Sequence, residues 1–417
     1  MDLFASTQHA DPLMINVLTI TSLFPNSEQT RHGVFVEERL RHLAATGRFN
    51  VQVVAPVPWF PLRSGIFGLY GRYARVPRSE ERLGRKILHP RYLTLPKVGM
   101  TLAPYLYAAG IASLVRQLAG DLRGPVVLDG HFLYPDGVAT ALLAHQLGLP
   151  YILTARGQDV TLFPRHAVPR TLIRRACSGA NRVITVSEAL RELLLELGVA
   201  PERVLTLRNG VDLTRFRPGD RAVARAQVGF TRPTLLAVGH LIERKDHELM
   251  IRALPLVPGT DLVIVGEGPL RDRLLAVARE LGVAERLRIV PNVLQHELVS
   301  YYAAATLSVL TSRHEGMPNV VLESLACGTP VVATLVEGVP ELLDDPAAGL
   351  LVRERTPTGL AAGINAVLAN LPAPDATRAH AAGLGWEPTI AGLTMVLEQA
   401  VERGRLDLHH VTGKLPV

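Results

Sequence analysis

Cysteine is almost missing from this sequence: Cys177 and Cys327 are the only two, and they lie far apart in the chain. That excludes a disulfide framework and any cysteine-based zinc spacing, and it makes a reducing cytoplasm the simplest compartment. Low-complexity tracts are also lacking, and at 48% hydrophobic and 20% charged residues the chain does not have the composition of a disordered protein. The start of the chain carries Asp2 and Asp11 and lacks the basic head and apolar centre of a signal peptide, and residues 1–13 are expected to form a flexible extension. No apolar run reaches the ~20 residues of a membrane span. The best candidate, Met100 to Leu114, reads as a core or interfacial helix.

Several ligand signatures are missing as well. A dinucleotide-binding G-x-G-x-x-G would follow the first strand, but Thr21-Ser22-Leu23-Phe24-Pro25 stands there, and no G-x-x-x-x-G-K-[ST] phosphate loop occurs. A nicotinamide dehydrogenase and a P-loop NTPase are therefore disfavoured. Asp-x-Asp is absent, so that metal-chelating motif is not available, and no metal ligands are assigned.

What is present is a rhythm. Short apolar runs at Met14–Ser22, Val51–Ala55, Val126–Leu128, Tyr151–Thr154, Arg182–Val186 and Val204–Leu207 alternate with helical patterns at Val34–Ala45, Val138–Leu147 and Ser187–Leu197, where Ser187 is a candidate N-cap. Strands without polar alternation are buried on both faces, which means parallel sheets covered by helices. The rhythm restarts with strands at Thr234–Val238, Asp261–Val265, Leu287–Val290, Leu307–Leu310 and Pro330–Ala333, and with helices at Asp246–Leu254, Pro269–Leu281 and Asn319–Ala326. The 417 residues thus divide into an N-terminal domain over 14–212, a C-terminal domain over 213–385 and a last segment, 386–417, whose helix at Thr389–Arg403 follows a break at Trp386–Pro388 and is expected to return to the first domain. Between Pro56 and Pro96 the rhythm is lost. Trp59, Phe60, Phe67, Tyr70 and Tyr73 are interleaved there with arginines, a composition that suits a membrane interface or an anionic acceptor. A formal charge of +6 fits anionic partners in general.

The most informative block is Ser312-Arg313-His314-Glu315-Gly316-Met317-Pro318-Asn319-Val320-Val321-Leu322-Glu323, which leaves a strand and enters a helix. Unpaired N–H groups at a helix start seat a diphosphate. A carboxylate before that start can grip sugar hydroxyls, and one a little inside the helix can grip ribose. Two surface glutamates favoured by the helix dipole are the plainer reading.

This block resembles the E-x7-E signature of the retaining GT-B glycosyltransferases of family 4. Gly239-His240-Leu241-Ile242-Glu243-Arg244-Lys245 is similar to that family's G-R-L-x-x-x-K segment, and Asn209-Gly210-Val211-Asp212 with Phe216 to its N-G-V-D-x-x-x-F segment. The resemblance implies an α/β fold of GT-B architecture, two Rossmann-like parallel-sheet domains facing a central cleft. It implies Glu315, His131 and Lys245 as catalytic residues. It assigns donor contacts to Gly33, His240, Arg244, Gly316, Met317, Pro318, Asn319, Val320 and Glu323. His240 stands where the family usually has an arginine, and Arg244 is the nearest compensating cation.

The expected activity is transfer of a hexose-type sugar, with retention, from a UDP- or GDP-type nucleotide sugar to a glycan, lipid-linked or small-molecule acceptor, without a metal or other cofactor. The overall look resembles bacterial cell-envelope and exopolysaccharide enzymes, teichuronic-acid-type members included. A nucleotide-sugar epimerase of the same fold and a non-catalytic nucleotide-sugar-binding protein are the alternatives. Nucleic acid is not an expected partner, since no recognition module is present. The expected location is cytoplasmic, with peripheral attachment to the inner face of an anionic membrane.

Overall fold

The structure, a computed structural model, describes residues 14–94 and 99–412, and the extension expected over residues 1–13 lies outside them. The chain divides into two compact units. Unit one takes the chain up to Thr185, Leu193–Leu205 and the part from Ile390 onward, and unit two takes Val186–Glu192 and Thr206–Thr389.

The first ten strands are β1 (Ile15–Ile20), β2 (Phe49–Val54), β3 (Val57–Pro58), β4 (Ser79–Arg82), β5 (Arg85–Leu88), β6 (Arg91–Tyr92), β7 (Val126–His131), β8 (Tyr151–Ala155), β9 (Arg182–Thr185) and β10 (Val204–Thr206). Eight of them form one sheet in the order β10-β9-β8-β7-β1-β2-β5-β4, while β3 and β6 pair separately. β7 and β8 are buried at every position, as uninterrupted runs in a helix-covered parallel sheet must be. The strand order reverses between β1 and β7, the place where such sheets open for ligands at their carboxyl ends.

The stretch between Pro56 and Pro96 departs from the irregular loop expected there. It carries a helix at Gly68–Arg75 and the antiparallel hairpin β4–β5, and β5 extends the main sheet by pairing with β2. Leu83 and Gly84 make the turn with φ of 48° and 73°, the hand that matches strand twist. Its Ser-Glu-Glu-Arg edge strand has no apolar face, so no period-2 signal marks it. The helix at Ala103–Asp121 buries one stripe, including Tyr107, Ile111 and Val115, as a core helix does. Among the described residues no helix is long and apolar enough to cross a membrane.

Unit two is built on β11 (Thr234–Val238), β12 (Asp261–Val265), β13 (Leu287–Val290), β14 (Leu307–Leu310), β15 (Val331–Thr334) and β16 (Gly349–Val352). They form one parallel sheet in the order β13-β12-β11-β14-β15-β16, with its switch point between β11 and β14. Leu249, Leu274 and Leu360, from three helices, share a core cluster with Leu235, Ile264 and Val332 of the strands.

Prolines account for two departures in helix placement. The last helix begins at Trp386, so Trp386–Pro388 is its first turn rather than a break before it. Pro357 likewise opens a helix, Pro357–Ala369, behind the capping hydroxyl of Thr356. A proline in the first turn forfeits only an N–H that has no helical partner. Ser187 does cap Glu188–Glu196, accepting from Leu190 N at 3.3 Å, and Glu341 Oε1 accepts from Glu188 N at 2.7 Å.

Candidate active site

The loops that follow β11 and β14 meet at the switch point of unit two. After β11 the chain runs through Gly239 into a single 3-10 turn, Glu243–Lys245, which Asp246 ends with a φ of 46°. The loop after β12 lies directly on it: Leu241 N donates to Glu267 O at 2.9 Å, and a Cβ at Gly266 or Gly268 would overlap the carbonyl oxygens of Gly239 or Leu241. The glycines of Gly266-Glu267-Gly268 are therefore a close-packing requirement.

Glu315 is the centre of this meeting. Lys245 Nζ and Ser312 Oγ donate to its Oε1 at 2.5 and 2.6 Å, and Arg244 Nη1 stands 3.5 Å from Oε2. The Glu315 side chain is 9% exposed, and burial alone would raise its pKa. The charges of Lys245 and Arg244 and the bonds from Lys245 and Ser312 outweigh burial and hold the carboxyl below its ordinary range. The result is a carboxylate and two cations within one loop-built cluster, able to exchange these partners for the hydroxyls and phosphates of a ligand.

Two side chains that the sequence did not single out hold this cluster in place. Glu337 accepts from Glu315 N at 2.9 Å and bonds His314 Nδ1 at 2.7 Å. Arg355 donates to Ser312 O at 2.8 Å, to Thr311 O at 2.6 Å and to Asp246 Oδ2 at 2.6 Å, tying the end of β14 to the turn after β11. No local signal marks either residue, because each acts on a segment more than twenty positions away in the sequence.

The helix Asn319–Ala326 starts behind Pro318, and no side chain caps it. Val321 N turns back to Pro318 O at 3.0 Å, and a helix start of this kind leaves N–H groups without a helical partner. Met317 and Pro318 are buried, and Gly316, Asn319 and Val320 are partly exposed. Glu323 lies in the second turn, where Tyr302 Oη donates to its Oε2 at 2.8 Å. Asn209 Nδ2 donates to Asn319 Oδ1 at 3.0 Å, and Asp212 Oδ1 accepts from Thr214 and Arg215 N–H groups, so the N-G-V-D segment braces the helix start.

Unit one presents a different arrangement beside its own switch point. β7 runs on to His131, three residues beyond the strand end expected from sequence, and the ring is fully buried. Arg156 Nη2 lies 2.7 Å from Nδ1, and Asp129 Oδ2 lies 2.8 Å from Nε2. A guanidinium only donates, so Nδ1 accepts and Nε2–H donates to Asp129: the ring is neutral with one tautomer. Burial presses its pKa down to about 4, in agreement. Burial opposes the Asp129 carboxylate too, but His131, Arg39 and Arg156 together hold it below the usual range. Both ring nitrogens are thus engaged inside the protein, and the residue closes the strand instead of following it. Gly33 is buried with a φ of 75°, and a Cβ there would overlap Leu23 O, so its close approach is to Leu23.

Comparison with known proteins agrees with this geometry. Residues 32–215 match the family model described as Glycosyltransferase Family 4, and residues 220–382 match the one described as Glycosyl transferases group 1. D-inositol 3-phosphate glycosyltransferase 1 of Catenulispora acidiphila is 33% identical over 89% of this chain and 91% of its own. This chain belongs to glycosyltransferase family 4. The putative teichuronic acid biosynthesis glycosyltransferase TuaC of Bacillus subtilis is 31% identical over 84% of this chain and 88% of its own. Among solved structures, sucrose-phosphate synthase from Thermosynechococcus elongatus superposes with a TM-score of 0.74 at 20% identity, covering 93% of this chain and 98% of that one. Anabaena HepE in complex with UDP gives 0.69 at 19%, covering 93% and 100%. These likenesses show the GT-B fold.

Within this family 4 glycosyltransferase, Glu315, Lys245, Arg244 and the 316–320 segment come together in unit two, with Glu323 one turn further on. His240 is exposed, and its ring makes no hydrogen bond among the described residues. Cys327 is buried beside the helix end, and burial pushes its thiol up to about 12.

Proposed function

We propose that this glycosyltransferase moves a hexose-type sugar, with retention of anomeric configuration, from a UDP- or GDP-type nucleotide sugar to a hydroxyl acceptor. The Glu315–Lys245 pair, formed where the loops after β11 and β14 meet, carries this reading. In the transition state, positive charge gathers on the sugar ring and negative charge on the leaving diphosphate. Lys245, Arg244 and the uncapped start of Asn319–Ala326 are fixed positive groups that stabilise the departing oxygens, and Glu315 holds the sugar at the anomeric end. Glu323 binds the ribose. In this reading fixed cations do what a divalent ion does elsewhere, so transfer persists in EDTA.

The names of the two relatives support an acceptor that is a polyol phosphate or an envelope glycan, with a lipid-linked glycan as a variant of the second. The test is incubation of pure protein with a panel of UDP- and GDP-sugars, reading nucleoside diphosphate release and a one-hexose mass gain on inositol phosphate or oligosaccharide acceptors. Thermal stabilisation by a donor without any turnover would mark a binding protein instead, and appearance of a free epimer would mark an epimerase.

A further inference from the structure

We infer that the face built by residues 59–75 of unit one is a docking surface for an anionic phospholipid bilayer. The first observation is where large apolar side chains are left in water. Among the described residues, nine of the nineteen exposed large apolar side chains fall between Trp59 and Tyr105. Trp59, Leu62, Ile66 and Leu69 are 48%, 50%, 85% and 54% exposed. Single exposed apolar residues are ordinary, whereas a cluster rimmed by polar groups marks an interaction site.

The second observation is that the segment is built and does not merely trail in solvent. Phe60 stacks against Phe67 and Tyr70 at 5.4 Å each, and Tyr70 meets Tyr73 at 6.1 Å. A Cβ at Gly71 would overlap Ser64 O, so the helix Gly68–Arg75 lies hard against the preceding turn. Trp59 N donates to Tyr92 O at 2.7 Å, which seats the segment beside exposed Leu93. An aromatic ridge therefore holds Ile66 and Leu69 outward.

The third observation is the charge around them. Arg75 and Arg82 are taken up by Glu28 and Glu37 at 2.6 and 2.8 Å. Arg63, Arg72 and Arg78 are exposed and have no carboxylate at ion-pair distance among the described residues. Arg63 and Arg78 lie close enough to Arg91 for their charges to add to burial in lowering its pKa, so like charges are gathered there, while Arg72 feels Glu28 without an ion pair to it. A bilayer interface satisfies both parts: apolar tips and Trp59 enter the acyl boundary while guanidinium groups reach the phosphates. The apolar tips alone are too few for a stable protein interface.

This inference extends the acceptor side of the proposed function towards lipid-linked substrates, and it is measured by binding alone, so its failure leaves glycosyl transfer untouched. The experiment is vesicle co-sedimentation of the full chain with phosphatidylcholine alone and with phosphatidylcholine containing phosphatidylglycerol, at low and high salt. Wild type should bind only the anionic vesicles, and inorganic phosphate at millimolar level should not release it. A variant with Arg63→Ser, Arg72→Ser and Arg78→Ser should bind at least about ten-fold more weakly. A variant with Ile66→Ser and Leu69→Ser should lose the fraction that high salt does not remove. Unchanged thermal melting shows that each variant is folded. Wild-type protein that ignores anionic vesicles at low salt overturns the inference. So does release by inorganic phosphate, or self-association abolished by the Ile66 and Leu69 changes, which would make a second copy the occupant.

Discussion

Glu315 and Asp129 hold corresponding places in the two units. Each belongs to the strand, or the loop after it, that lies across the switch point from the first strand of its sheet: β14 beside β11, and β7 beside β1. Each carboxylate takes partners from both sides of that switch. Asp129 bonds Thr19 of β1 at 3.3 Å and His131 at 2.8 Å, and its side chain is 1% exposed. Glu315 takes Lys245 from the turn after β11, and Lys245 keeps 13% of its side chain in solvent. The same topology thus places charge at the sheet edge in two ways. In unit one it is closed into the core, where each group depends on the others to stay paired. In unit two it is left in loops, where a ligand can take over the partners.

If that contrast is right, the two sites break differently. Glu315→Gln should lower the transfer rate by about 10²–10⁴-fold while the melting temperature moves only a few degrees. His131→Ala should do the reverse first: removing a ring bonded to both Asp129 and Arg156 leaves buried charges unpaired and costs about 3 kcal/mol of stability, read from urea unfolding. A His131→Ala protein of unchanged stability and abolished turnover would mean that this ring acts on substrate, and the contrast would fail.

The pH dependence of stability sharpens the same point. His131 titrates at about 4 in the fold against an ordinary value near 6.5. The unfolded chain therefore binds more protons between these values, and this group's contribution, up to about 3 kcal/mol, is lost as pH falls from 6.5 towards 4. Asp136 has the opposite sign. Burial raises its carboxyl to about 7, against the bonds it accepts from Ser22 N and Oγ, so the fold retains a proton there that the unfolded chain releases. Its contribution declines as pH rises from about 4 to about 7. In the wild type the two slopes oppose each other between about pH 4 and pH 6.5. His131→Asn should leave stability falling with rising pH, and Asp136→Asn should leave it rising. Parallel slopes in the two variants would contradict the assignment.

The contrast also explains what could be read from sequence. Thr234–Val238, Asp261–Val265 and Leu307–Leu310 were legible to the residue because each is a mostly apolar run in a sheet covered on both faces, and Leu287–Val290, at the sheet edge, because Leu287, Ile289 and Val290 flank exposed Arg288. Helices such as Ala167–Gly179 and Gln295–Ala304 escaped notice, since Pro169 and the arginines of the first, and the polar start of the second, blur the helical period. The meeting of Glu315 with Lys245 was legible because two motifs, each compact in sequence, pointed to one site. The burial of His131 was not, because its companions Arg39 and Arg156 come from other elements and only folding brings them together.

Glu337 and Arg355 are a step smaller in expected effect, since both act through the backbone of the loop that carries Glu315. Glu337→Ala frees the N–H of Glu315 and the ring of His314, and it should lower kcat by about ten-fold with little change in KM for the donor. Glu337→Gln retains an acceptor and should recover most of that loss. A change confined to KM would make Glu337 a donor contact instead of a positioning residue.

The smallest effect belongs to His240, the position where the family's usual arginine is missing. Its ring is exposed and makes no hydrogen bond among the described residues, and its carbonyl accepts from Ile242 N at 2.9 Å, which any residue would allow. Substitution there should therefore leave the fold alone. An arginine would add a permanent planar cation with five donors at the edge of the proposed diphosphate seat, a better match to phosphate than imidazole. His240→Arg should lower the donor KM by about three- to ten-fold and leave both kcat and melting temperature unchanged, because the added binding is the same in ground and transition states. A rise in kcat instead would show that charge at this position is felt only as the diphosphate departs. The loop of unit two would then still lack one transition-state cation, and Lys245 and Arg244 would not be its full complement.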